Sequence, residues 1–93
     1  DPLINLLEKT RDDDLRRNIL LVLRDIGDIK AVDPLINLLA ETGDNGLKRS
    51  ISVALRDIGD PKAVDPLINL LEKTDDYRTR IVMKGVIDSL RRK

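Results

Sequence analysis

Apolar positions along this chain follow two helical rhythms that alternate and then repeat. Leu3, Ile4, Leu6 and Leu7 make a broad stripe. After a polar turn, Leu15, Ile19, Val22, Leu23 and Ile26 follow at spacings of four, three, one and three, which places them on one helical face. Leu47, Ile51, Ala54, Leu55 and Ile58 repeat that face, and Met83, Val86, Ile87 and Leu90 supply it again, with Thr79 opposite the earlier leucines. The stretch Asp-Pro-Leu-Ile-Asn-Leu-Leu begins at Asp1, Asp33 and Asp65, an interval of 32 residues. A two-helix unit of that size cannot bury its own apolar side and must stack on a neighbour. The expected fold is all-α: a short right-handed alpha solenoid of three two-helix repeats. It forms a single repeat domain over 1–93, with units 1–32, 33–64 and 65–93.

Within a unit the boundaries are marked unevenly. For the first helix of each pair, helix A, the aspartate before proline can cap and the proline can begin the helix. Alternatively, Asp28-Ile-Lys-Ala-Val32 and Asp60-Pro-Lys-Ala-Val64 are already helical, with Asp60 as cap, so that Pro34 and Pro66 kink or divide the helix. Gly27 and Gly59 close the second helix, helix B, where a left-handed cap is needed. The third unit has Arg91 there and stops, as a terminal unit should. The opposite end lacks a polar capping segment and an initiator methionine, which predicts that the apolar side of helix A around Leu3, Ile4 and Leu7 is covered by an upstream segment or by another copy.

Composition narrows the chemistry. The 93 residues are 41% hydrophobic and 37% charged, the signature of a folded, helix-rich domain. There is no run of membrane-span length and no basic-then-apolar leader, so no membrane association and a cytoplasmic location are expected. Without cysteine or histidine, the commonest general base, thiolate nucleophiles and the usual zinc ligands are absent, and neither metal nor cofactor is expected. Seventeen basic residues balance seventeen acidic ones, which disfavours nucleic acid as a partner. Residues 1–46 nevertheless hold six basic and ten acidic residues, a balance of −4, and residues 47–93 hold eleven and seven, a balance of +4. Either copies pair through opposite ends or the asymmetry is chance in a short chain.

Ala-Val-Asp-Pro-Leu-Ile leading helix A, an Asp-x-x-Leu-Arg/Lys turn and an Ile-Gly-Asp ending resemble HEAT-like repeats of the phycobilin-lyase type over the whole chain. The pattern is also similar to artificial helical repeat scaffolds. Relatives in that family attach bilins, hold iron through His-Glu pairs, or act on DNA through aromatic residues and a basic groove. None of those signatures is present here, since histidine is missing and Tyr77 is the single aromatic residue. The resemblance implies instead a non-catalytic scaffold whose concave face is built from helix B.

Carried onto this chain, the variable contact positions of similar proteins fall on Asp13, Asp14, Arg17, Asn18 and Leu21; on Asn45, Gly46, Arg49, Ser50 and Val53; and on Tyr77, Arg78, Ile81, Val82 and Gly85. Tyr77, Ile81 and Gly85 are four apart, with Val82 beside them, and should be polar in a free solenoid. Gly85 in mid-helix suggests close approach by another group; the alternative is that the last unit tilts and its core face rotates. Ile19 to Leu23 is apolar on every side, so Leu20, Leu21, Val53, Ile81 and Tyr77 are expected to form an exposed strip for a partner helix or second subunit. Self-association is expected through Leu3, Ile4, Leu7 and Leu20. Asp12, Asp13 and Asp14 lack the spacing of a calcium loop and suit a helix start. Asp12/Arg16, Asp44/Lys48 and Asp76/Arg80 are spaced for ion pairs, and Arg91, Arg92 and Lys93 suit a helix C-terminus. Three functions follow: a protein or peptide interaction module, which is preferred, with a homo-oligomer among its forms; an enzyme relying on carboxylates, or a non-catalytic accessory subunit of a lyase-like or other enzyme; or an engineered scaffold without a native partner.

Overall fold

The structure, a computed structural model, describes residues 2–27 and 29–92; the side chains of Leu3 and Leu7, two of the expected self-association residues, lie outside the described set. Six helices follow in order: α1 (Pro2–Lys9), α2 (Asp13–Ile26), α3 (Val32–Glu41), α4 (Asn45–Ile58), α5 (Val64–Glu72) and α6 (Tyr77–Arg91). They pair as α1–α2, α3–α4 and α5–α6, so the periodicity predicted each hairpin. Cα extents of 30 × 27 × 16 Å describe a body two helices thick. The second helices α2, α4 and α6 pack side by side, whereas α1, α3 and α5 touch each other sparingly. The closely packed row therefore lies on the inside of the curve.

Local chemistry explains the starts of the second helices and the ends of α2 and α4. Asp12, Asp44 and Asp76 take extended backbone and accept from N–H groups in the first turns of α2, α4 and α6, satisfying donors that have no partner within the helix. Gly27 and Gly59 sit at φ 68° and 81° and end α2 and α4. Short 3-10 turns, Ile29–Ala31 and Pro61–Ala63, lead into α3 and α5. Helix A in these units begins before its proline, as the second of the two readings held, and Asp60 caps the turn that Pro61 opens. Pro34 and Pro66 occupy the first turn, where no amide donor is required, so neither divides its helix.

The core runs the length of the array through Leu23, Leu35, Leu39, Leu47, Ile51, Leu55, Leu67 and Met83, all essentially inaccessible. Expected apolar positions of the first unit are missing from it: Leu6, Leu15 and Val22 are 45%, 41% and 44% exposed, although Leu38, Leu47 and Ala54, their equivalents, are buried. Sequence makes these pairs alike, and the neighbouring unit makes them different. The expected strip also loses a member, since Leu20 is in the core at 2% exposure, and Ile4 is likewise interior at 8%. Neither is available for self-association. The four-residue pairings are also revised. Arg80 donates from a guanidinium nitrogen (Nη1) to the carbonyls of Leu71 and Thr74, at 2.7 and 3.0 Å, and Arg16 Nε donates to the Thr10 carbonyl at 2.7 Å, so both arginines cap the end of helix A.

Candidate binding groove

The inner row of helices carries a ladder of polar staples. Arg17 reaches from α2 to Asp44 Oδ2 at 3.3 Å, and Arg49 reaches from α4 to Asp76 Oδ2 at 3.3 Å, each spanning 27 residues. A parallel rung joins Arg24 to Asp57 at 3.4 Å. Asp44 and Asp76, which cap α4 and α6, thus also receive an arginine from the unit before. Gly46 makes room for the first rung: a Cβ there would stand 2.8 Å from the Arg17 guanidinium. The second rung has a further partner, because Arg49 also donates to Thr79 Oγ1 at 3.2 Å, and that hydroxyl donates to Asp76 Oδ2 at 2.6 Å. Thr79 is fully buried where the other units have leucine, and these bonds satisfy its hydroxyl.

Hydrogen bonding dominates the electrostatics at Asp76. The Thr79 hydroxyl and then the Thr79 amide hold its carboxyl below the ordinary 3.8, partial desolvation opposes them, and Arg49 and Arg78 add attraction.

Between the rungs lies an open groove of about 340 Å³, floored by Leu20, Leu21, Val53, Ala54 and Val82 and edged by Arg17, Arg24, Arg49 and Ser50. A groove of this size can take a few anchoring side chains. Of the expected partner-binding residues, the structure brings together Arg17, Leu21, Arg49, Val53 and Val82. Tyr77, Arg78, Ile81 and Gly85 do not line it; all four are exposed, with Tyr77 at 76% and Ile81 at 51%. The space beside Gly85 is open, with nothing of this chain within 4 Å of where a Cβ would stand, so no group of the described fold requires a glycine there. Sequence reasoning omitted Arg24 and Ala54; the recurrence of arginine at 24 and 56 was the available signal. Among the described residues no His, Cys, Asp or Glu cluster is arranged to hold a metal ion, and no helix is long and apolar enough to cross a membrane.

Paired helices stacked in register around a side-chain groove define a helical-repeat solenoid. A family model described as HEAT repeats matches residues 1–85, and the chain belongs to that family. No curated protein matches significantly. Among solved structures, the chain is similar to that in a crystal structure of epoxyqueuosine reductase with a tRNA-Tyr epoxyqueuosine-modified tRNA stem loop. The TM-score is 0.75 at 26% identity, over 82% of this chain and 20% of the other. The chain therefore spans about a fifth of that protein's length.

Proposed function

We propose that this chain is a non-catalytic interaction module that seats apolar side chains of a protein segment, presented from one face of a helix, in the groove between α2, α4 and α6. One observation carries this reading: the groove floor is apolar, while Arg17, Arg24 and Arg49 at its edge are engaged with Asp44, Asp57 and Asp76. Arginines already neutralised by carboxylates attract phosphate weakly, and apolar anchors are what a helix-in-groove partner supplies. Family membership is in keeping with a binding role, and the phycobilin-lyase-type subgroup rests on the sequence motifs alone.

The test is selection of displayed amphipathic helical peptides on the intact chain, followed by binding to Leu21→Glu. Leu21 is 47% exposed, so the variant should unfold at the same denaturant concentration. Selected peptides should lose about tenfold or more in affinity, the scale of a buried anchor. Equal binding to both proteins would reject the groove. A second reading, RNA binding, is favoured by the stem loop in the similar structure. It requires that an RNA stem loop bind with steep salt dependence and lose affinity in Arg78→Ala, with Leu21→Glu unaffected.

A further inference from the structure

The two ends of this array differ although they derive from one repeat. Leu47 and Ala54 are 0% and 2% exposed, whereas Leu15 and Val22, at the same places one unit earlier, are 41% and 44% exposed. Leu6 departs from Leu38 in the same way, 45% against 6%. These three side chains present uncovered the surface that the later units bury against their predecessor. The far end is polar, with exposed Lys84 at the place that Leu20 holds in the core of the first unit.

The staples have the same direction. Each runs from an arginine to an aspartate of the following unit: Arg17 to Asp44, Arg49 to Asp76 and Arg24 to Asp57. At the apolar end the acceptors are in place. Asp12 caps α2 as Asp44 caps α4, yet no arginine of the described residues reaches it, and Asp25, the equivalent of Asp57, meets only Arg24 of its own helix at 3.7 Å. At the polar end the donors are gone: Ile81 replaces Arg17 and Arg49, and Asp88 replaces Arg24 and Arg56.

We propose that the face bearing Leu6, Leu15 and Val22 is a docking surface for an α-helical hairpin of the same repeat type that carries arginines at the positions of Arg17 and Arg24. The surface continues the interface already formed between α2 and α4, and Asp12 and Asp25, which hold the places of the arginine acceptors Asp44 and Asp57, specify the charges opposite them. A second copy does not fit, because its polar end would set Ile81 against Asp12 and Asp88 against Asp25, a like-charge contact. The proposal stands against pairing of the acidic and basic halves of two copies and is independent of the groove.

The experiment fuses residues 33–64 in front of the intact chain, which reproduces the Ala-Val-Asp-Pro-Leu-Ile junction, and follows amide exchange of α2. Protection of α2 should rise by about tenfold or more, as for a segment newly covered on one face. Two variants keep the outcome readable. In one, the arginines of the added unit become isoleucine and aspartate, as at Ile81 and Asp88; in the other, the added unit is unchanged and the chain carries Asp12→Asn and Asp25→Asn, which preserve the cap. Each should lose most of the added protection. An added unit that leaves α2 exchange unchanged would overturn the docking surface. Equal protection from the variants would overturn the arginine requirement, and a dimer of the unmodified chain in sedimentation, abolished by Leu15→Glu, would overturn the exclusion of a second copy.

Discussion

At the scale of single residues, function and stability part company most clearly in α6. Gly85 is exposed, lies in regular helix and has open space where a side chain would stand. Gly85→Ala should therefore stabilise the fold by about 0.5–1 kcal/mol, the difference in helix propensity, read as a shift in chemical denaturation midpoint. Asp76 is the opposite case, since the partners of its Oδ2 all belong to the folded state: the Thr79 amide and hydroxyl, and Arg49 from the neighbouring unit. Its lowered pKa means that the unfolded chain binds the proton more readily. The stabilisation is therefore complete above the ordinary carboxylate value and is lost as pH falls through the lowered one. Asp76→Asn, which keeps a capping side chain, should flatten the dependence of unfolding free energy on pH between about 2 and 5, where carboxylates titrate. An unchanged slope in denaturation series across that range would count against this assignment.

At the scale of the element, identical patterns have unequal consequences. Leu15 and Leu47 occupy the same place in α2 and α4, but one is 41% exposed and the other 0%. Leu47→Ala should cost about 2–5 kcal/mol, as buried leucine truncations do, while Leu15→Ala should cost under about 1 kcal/mol. Thermal or urea unfolding of the pair measures the difference directly. The same comparison shows what could be read beforehand. Helix identity, glycine caps and the Asp60 turn follow from local residues and were legible, because each depends on positions a few residues apart. Burial of Leu20 and Ile4, exposure of Leu15 and Val22, and the Arg17 and Arg49 staples depend on a neighbour about 27 to 32 positions away, and only stacking brings that neighbour into contact. The candidate groove was half visible for this reason: Leu21, Val53 and Val82 stood out as divergent apolar positions, whereas Arg24 gained meaning only when Asp57 appeared beside it.

At the scale of the whole molecule, stability is distributed as in a short stack, where each unit depends on its neighbours. The middle hairpin is packed from both sides, and its Leu47, Ile51 and Leu55 are fully inaccessible. Amide exchange should be slowest in α4, faster in α6 and fastest in α1 and α2, where one flank is unpacked; uniform protection through all six helices would show a single cooperative unit instead. The arginine ladder also bears on mechanical behaviour. Its rungs tie each hairpin only to the next, and no rung skips from α2 to α6 among the described residues. A pull on the two termini would accordingly peel hairpins away in sequence, each released at modest force and able to rewind onto its neighbour. The chain would then yield and recover as a spring does.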